Sequence, residues 1–123
     1  MFVGVLKVAL TIVGARTLKE KRRVVSSFKE RVIGRFKVSA AEISSLDDPR
    51  HAVLGFAVVS NDAAHCDSVL AEVARVASTL PDAILSDRAT EIVPFGEAGR
   101  SLQRGFEALN GPIGPVDDEE DER

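Results

Sequence analysis

The stretch Val3-Gly4-Val5-Leu6-Lys7-Val8-Ala9-Leu10-Thr11-Ile12-Val13 predicts the first element of a half-buried β-sheet. Large apolar side chains occupy every second position, at Leu6, Val8, Leu10 and Ile12. The positions between them carry a more mixed set of side chains, Val5, Lys7, Ala9 and Thr11. Because successive side chains of a strand point to opposite faces, this alternation favours a strand with one face in the core.

A helix is predicted to follow, beginning after Thr17 and running to about Gly34. Thr17 and Glu20 stand three residues apart, as in a capping box, where each side chain bonds the backbone of the other. One arc of this helix is apolar, with Leu18, Val24, Val25, Phe28 and Val32. The opposite arc carries Lys19, Arg22, Arg23, Lys29 and Glu30. The helix is therefore expected to be amphipathic, with a basic outer face.

The remaining elements complete the order β-α-β-β-α-β. Residues 36–43 and 52–59 have the composition of strands, and a polar loop over 44–51 joins them as a hairpin. Asn61 or Asp62 can cap a second helix, which Pro81 stops, and residues 83–93 form a last strand at a sheet edge. With right-handed crossovers, this order predicts an α+β, ferredoxin-like sandwich: a four-stranded antiparallel sheet with two helices on one face.

The 123 residues have room for one hydrophobic core. We expect a ferredoxin-like domain over residues 1–95, a short helix within 96–110 and a disordered acidic tail over 111–123. No apolar run approaches the roughly 18 residues of a membrane span, and the N-terminus lacks the features of a secretory signal. The expected location is the cytoplasm, with no membrane contact.

Charge is distributed unevenly along the chain. Residues 1–37 contain ten Lys/Arg and two acids, a net charge of +8, and the remainder carries −11. Cations in the first turns of a helix oppose its dipole, a cost that a docked anion would relieve, since a helix N-terminus directs amide groups at anions. The predicted anion- or RNA-binding residues are Arg16, Lys19, Lys21, Arg22, Arg23 and Lys29. The alternative is a solvated charged face, and charge alone does not choose between them.

No catalytic residue, metal site or cofactor is predicted. Residues 61–67 bring together Asn61, two Asp, His65 and Cys66, but Cys66 falls in the apolar arc of the second helix, where a free cysteine behaves as a small buried side chain. No second cluster supplies a base for a nucleophile. A single cysteine also cannot form an internal disulfide. The sequence thus gives no positive indication of an enzyme.

Four segments resemble one known family: residues 3–7, 14–23, 36–42 and 58–62. On these segments the chain resembles the YlxP-like family, also called DUF503, over about residues 1–94. The resemblance implies a ferredoxin-like fold and a bacterial protein, whose gene often lies between those of a translation initiation factor and a ribosome-binding factor. It implies no activity.

Two classes of function remain as expectations. The first is a non-enzymatic module that binds ribosomal or other structured RNA through the basic first helix. The second is a protein-interaction domain that forms a homodimer through the uncovered sheet face and has no nucleic-acid role; small and apolar side chains on that face, such as Val5, Ala9, Val53 and Ala57, favour such contact.

Overall fold

The computed structural model describes residues 1–96. Its elements in chain order are β1 Phe2–Ile12, α1 Leu18–Phe36, β2 Ser39–Ser44, β3 His51–Ser60, α2 Ala63–Ser78 and β4 Ala83–Pro94. This is the predicted order, and residues Met1–Val93 form one compact unit. Two predictions lie outside the described residues: the short helix within 96–110, of which only Gly96 is described, and the tail over 111–123.

The strands form one sheet in the order β2-β3-β1-β4. β1 and β3 are its central, antiparallel pair, in a register that runs from Phe2 opposite Ser60 to Thr11 opposite His51. β2 pairs antiparallel with the other edge of β3. Since β1 and β2 are both antiparallel to β3, the α1 crossover links two parallel strands that do not touch, as in a split β-α-β unit.

β4 is the second edge strand and lies beside β1. The Ser86 hydroxyl donates to the Ala9 carbonyl at 3.0 Å, and the Val13 amide donates to the Asp82 carbonyl at 2.9 Å. A step of four residues forward along β1 thus corresponds to four residues backward along β4, so this pair is also antiparallel. All four strands therefore alternate in direction across the sheet.

The core lies between one face of the sheet and the two helices. The predicted alternation of β1 is confirmed, with Leu6, Val8, Leu10 and Ile12 all buried. β3 contributes Ala52, Leu54, Phe56 and Val58 to the same face. The ring of Phe28 from α1 meets that of Phe56 edge to face, with centroids 5.6 Å apart. The ferredoxin-like sandwich predicted from the element order is thereby confirmed.

The sequence predicts an apolar arc on the second helix of Val69, Leu70, Val73, Val76, Ala77 and Leu80, and the structure buries four of these six side chains. The buried residues of α2 are Cys66, Leu70, Val73, Ala74, Val76 and Ala77. Val69 and Leu80 are half-buried and pack against the edge of this core.

The junction between α1 and β2 lies further along the chain than predicted. α1 continues past Gly34 to Phe36, and β2 begins at Ser39, not at residue 36. Phe36 remains helical because its half-buried ring packs against the core. Lys37 then ends the helix in the left-handed conformation, with φ +55°, and its amide donates to the Ile33 carbonyl.

Gly4 marks the closest approach of α2 to the sheet. A Cβ at this position would lie 2.9 Å from Leu70 Cδ1, 3.1 Å from Cys66 Cβ and 3.2 Å from Val58 Cγ1. These contacts are shorter than a packed carbon atom accepts, so the missing side chain of Gly4 sets the spacing between β1 and α2.

Candidate nucleic-acid interface

The first turn of α1 is fixed by the predicted capping box. Thr17 Oγ1 accepts a hydrogen bond from the Glu20 amide at 3.2 Å. In return, Glu20 Oε1 accepts from the Arg16 amide at 2.7 Å and from the Thr17 amide at 3.1 Å. The hydrogen bonds from the Arg16 and Thr17 amides hold the pKa of Glu20 below its ordinary value, because they favour the charged carboxylate. The prediction of a capping box over Thr17 and Glu20 is confirmed.

The cap changes how an anion could bind here. The amide groups of Arg16 and Thr17 already donate to Glu20, and the Glu20 amide donates to Thr17. The cap therefore uses the amides of Arg16, Thr17 and Glu20 internally, and the Glu20 carboxylate adds a negative charge at the terminus where the sequence suggested a docked anion. An anion at this end of α1 would therefore bind chiefly through the exposed basic side chains.

Five of the six predicted anion-binding residues remain accessible. Arg16, Lys19, Arg22 and Arg23 are exposed, and Lys29 is half-buried. Within residues 1–96 the ion pairs are Lys21–Glu42, His51–Asp48 and Arg75–Glu72, so none of these five cations forms an ion pair there. Arg16 is close enough to Glu20 for its charge to help lower the pKa of that carboxyl group. The five cations form a basic surface on the solvent side of α1, which we call the α1 basic face.

Lys21 is the sixth predicted residue, and its assignment is corrected by the structure. Its side chain is 1% exposed, and it is the one charged residue buried in the described part of the chain. The cause is its position in the apolar arc of α1, which turns it toward the sheet while its neighbours Arg22 and Arg23 face solvent. An external anion cannot reach its ammonium group without opening the fold.

The Lys21 ammonium is instead held inside the protein by four oxygen atoms. It donates to the Ser45 carbonyl at 2.7 Å, the His51 carbonyl at 3.1 Å and, at a longer 3.4 Å, the Leu46 carbonyl. Glu42 Oε2 lies 2.8 Å away, and no hydrogen bond within residues 1–96 reaches that oxygen, so the ion pair with Lys21 neutralises it. The buried charge is thus paired and its donors are used, as burial of a charge requires.

This arrangement fastens α1 to the β2–β3 loop. Ser45 adopts a left-handed conformation, with φ +62°, and its carbonyl also accepts from the Asp48 amide at 3.1 Å. Asp48 in turn accepts from the Arg50 amide and contacts His51 Nδ1, both at 2.9 Å. Both contacts lower the pKa of Asp48, and the hydrogen bond from the Arg50 amide has the larger effect. We call Lys21, Glu42 and the loop carbonyls the lysine clamp.

The sequence contains a signal for the lysine clamp. Lys21 is a charge at an apolar position of a helix, and Glu42 shares the core-facing parity of β2 with the half-buried Ala40. Two opposite charges aimed at one core predict a buried ion pair. The carbonyl partners could not be predicted this way, because they depend on the conformation of the loop.

The start of α2 places the polar side chains of residues 61–67 in separate environments. Asp62 is the N-cap and accepts from the Ala64 amide at 3.0 Å, whereas His65 is exposed. Cys66 is fully buried, as predicted, and its thiol lies 3.9 Å from the Phe2 carbonyl and 4.0 Å from the Val58 carbonyl. Within residues 1–96, no three His, Cys, Asp or Glu side chains are grouped closely enough to hold a metal ion.

The sheet face opposite the helices contains a shallow apolar groove of about 560 Å³. Val5 and Ile43 are 41% and 51% exposed there, and Gly55 forms part of the floor between them. Ile43 stands at a β-bulge, since the register of β2 on β3 shifts between Glu42 and Ser44. We call this region the sheet groove; its remaining lining residues are Leu6, Lys7, Ser39, Ala40, Ala41, Phe56, Ala57, Ala89, Thr90 and Glu91.

The model of the family described as "Protein of unknown function (DUF503)" matches residues 3–89 of the chain. These residues include α1, the lysine clamp and most of the sheet groove. No curated protein matches the chain. Within the described residues, no helix has the length and apolar character needed to cross a membrane.

Several solved structures are similar to the chain at low identity. A de novo designed protein with a ferredoxin fold is 14% identical, with a TM-score of 0.48 over 79% of this chain and 90% of the other. A putative chlorite dismutase is 10% identical, with a TM-score of 0.46 over 89% of this chain and 48% of the other. A NIPSNAP family protein from Agrobacterium tumefaciens is 6% identical, with a TM-score of 0.30 over 76% of this chain and 94% of the other.

Proposed function

The chain belongs to the family described as Protein of unknown function (DUF503), and from its surface we propose that it is a non-enzymatic module that binds ribosomal or other structured RNA through the α1 basic face. The observation that carries this proposal is the group of exposed cations Lys19, Arg22 and Arg23, with Arg16 beside them, none of which forms an ion pair within residues 1–96. α1 carries seven Lys/Arg and two Glu, and one of those seven, Lys21, is neutralised internally.

The grouping of these charges has an energetic cost. Lys19 is followed by Arg22 and Arg23 at spacings of three and four residues, so the three side chains lie on one helix surface. Like charges at these spacings each destabilise a helix by about 0.2–0.5 kcal/mol. A polyanion reverses the sign of this effect, since each phosphate contact also releases a condensed counterion. The α1 basic face is thus better suited to a phosphate backbone than to open solvent.

The test is a fluorescence anisotropy titration of the full chain with ribosomal RNA at low and moderate salt. We expect affinity to fall steeply with salt, and the combined substitution Lys19→Ala, Arg22→Ala and Arg23→Ala to reduce the salt slope by about one per lost phosphate contact. The matched control removes three exposed arginines outside α1, Arg50, Arg75 and Arg88, each to Ala. If both triple variants bind alike, or the full chain shows no salt-sensitive binding, the proposal is wrong.

A second candidate function is favoured by the sheet groove: association of two copies of this chain through their uncovered sheet faces. The groove is almost wholly apolar in its centre, and Val5, Ile43 and Val59 are exposed on the same face at 41%, 51% and 60%. Exposed apolar patches of this kind mark interaction surfaces. Lys7 and Glu91 both line the groove, so a two-fold axis that lies between them would place Lys7 of each copy opposite Glu91 of the other.

Analytical ultracentrifugation tests this association. We expect the full chain to sediment as a dimer and Ile43→Asp, which places a charge on the groove, to sediment as a monomer. Ile33→Asp is the matched control, because Ile33 is 42% exposed but lies on α1, away from the sheet face. A monomeric full chain at high protein concentration excludes the second function and leaves the RNA-binding proposal unaffected.

A further inference from the structure

A second concavity lies beside the α1 basic face, between α1 and the turn that connects α2 to β4. It has a volume of about 220 Å³ and is lined by Arg23, Val24, Ser27, Phe28, Arg31, Leu80, Pro81 and Asp82. Phe28 is fully buried and Val24 and Leu80 are half-buried, so the floor is apolar. We call it the α1 cleft.

Two arginines stand at the ends of this cleft. Arg23 and Arg31 are eight residues apart on one stripe of α1, a distance of about 12 Å along the helix axis, with Ser27 midway between them. Both are exposed, and neither forms an ion pair within residues 1–96. The ends of the cleft are therefore cationic while its centre is apolar.

Asp82 completes the lining and limits what can bind. Its backbone is fixed, since its carbonyl accepts from the Val13 amide at 2.9 Å. A carboxylate in the wall repels a phosphate group placed in the cleft, but it accepts hydrogen bonds from the amino and ring N–H groups of a nucleobase. The combination of an apolar floor, one acceptor and two terminal cations fits a base inside the cleft and phosphates outside it.

We propose that the α1 cleft binds one unpaired nucleobase of a single-stranded RNA segment, while Arg23 and Arg31 contact the phosphates that flank it. This inference rests on the proposed RNA-binding function and makes it specific. A volume of this size holds one ring system, and a base-paired duplex keeps its bases stacked and out of reach. Arginine guanidinium planes are common stacking partners of unpaired bases in RNA-binding proteins, and the apolar floor of the cleft excludes water from the other face of the base.

The first test uses the unaltered full chain and three labelled RNA probes of equal length: a single strand, its duplex, and a single strand with abasic sites that keeps every phosphate. We expect the ordinary single strand to bind at least about fivefold more tightly than the abasic strand, the lower end of the range for stacking of one base, because the cleft offers aliphatic side chains and arginines and no exposed aromatic ring. We also expect it to bind more tightly than the duplex. Equal affinities for all three probes overturn the inference.

The second test blocks the cleft without changing any charge. Ser27 is exposed and lines the cleft, so Ser27→Leu fills it, whereas Ser68→Leu adds the same side chain at an exposed position of α2, outside both the cleft and the α1 basic face. We expect Ser27→Leu to lose the preference for the single strand and keep salt-sensitive binding to the duplex, and Ser68→Leu to behave as the unaltered chain. If Ser27→Leu keeps the preference, the inference fails while the proposed function stands. Absence of salt-sensitive binding to every probe removes both.

Discussion

At the scale of single residues, Lys21 is the position where its charge and its packing predict different locations. Its charge predicts a surface residue, and its place on the helix predicts a buried one. By composition it belongs with Lys19, Arg22 and Arg23, but its place on the apolar arc of α1 puts it in the core. The ion pair with Glu42 and the carbonyls of Ser45 and His51 offset the cost of its desolvation. The α1 basic face therefore has one cation fewer than the sequence suggests, and the fold has one more constraint.

We expect Lys21→Met to lower the free energy of unfolding by about 3–5 kcal/mol, because it leaves the Glu42 carboxylate buried without its counterion. Urea denaturation measures the change. Lys19→Met is the matched control, since this exposed side chain on the same turn should alter stability by no more than about 0.5 kcal/mol. Adding Glu42→Gln to Lys21→Met should recover part of the loss. A Lys21→Met protein as stable as the Lys19→Met protein would show that the lysine clamp contributes little.

We also expect Gly4→Ala to destabilise the domain by about 1–3 kcal/mol, the range for overpacking of a close-packed core. The added methyl group meets Leu70 Cδ1, Val58 Cγ1 and Cys66 Cβ, and the last of these cannot rotate away because the backbone fixes its position. Gly55→Ala is the control, because its nearest neighbour, Ile43 Cγ2, lies at an ordinary 3.5 Å. Thermal unfolding of the two variants compares them directly; equal midpoints would contradict the role of Gly4 in spacing α2 from the sheet.

At the scale of elements, local signals predicted the beginnings of helices better than their ends. The pairs Thr17–Glu20 and Asp62–Ala64 are local hydrogen bonds that the sequence encodes directly. The end of α1 depends instead on Phe36, whose ring contacts a core assembled from distant strands, so the glycine at position 34 did not stop the helix. For the same reason the alternation of β1 predicted its buried face, whereas the bulge at Ile43 needed the register of β2 on β3.

The α1 cap should make the helix sensitive to acid. Because hydrogen bonds lower the pKa of Glu20 in the folded protein, its contribution to stability is present above the ordinary pKa of about 4.3 and is lost as pH falls through the lowered value. We expect Glu20→Gln to flatten the pH dependence of the unfolding midpoint below that point, while Glu30→Gln, on the same helix, keeps it. Thr17→Ala should cost about 1 kcal/mol at neutral pH. Identical acid profiles for the two Gln variants would contradict this.

At the scale of the whole molecule, the balance of charge along the chain predicts an internal competitor for RNA. Removing residues 111–123 leaves 15 Lys/Arg and 13 Asp/Glu and changes the net charge from −3 to +2. A tethered acidic segment acts at a high effective concentration on a nearby basic surface, so the shortened chain should bind RNA more tightly, most clearly at low salt. Anisotropy titration compares it with a full-length chain whose six acids at 117–122 are replaced by Asn and Gln. If only one of the two gains affinity, charge is not the cause.

Because the Lys21 ammonium is buried, the rate at which it reacts with an amine reagent reports how often the fold opens locally around it. Amine-reactive reagents modify lysines in proportion to their contact with water, so Lys19 should be labelled at once while Lys21, 1% exposed on the same helix turn, should be labelled only when α1 separates from the β2–β3 loop. Mass spectrometry of the two sites, read as a ratio over time, then reports how often that separation occurs in the intact fold. The ratio of the two labelling rates therefore measures local opening of the fold at α1, with Lys19 as an internal reference on the same turn.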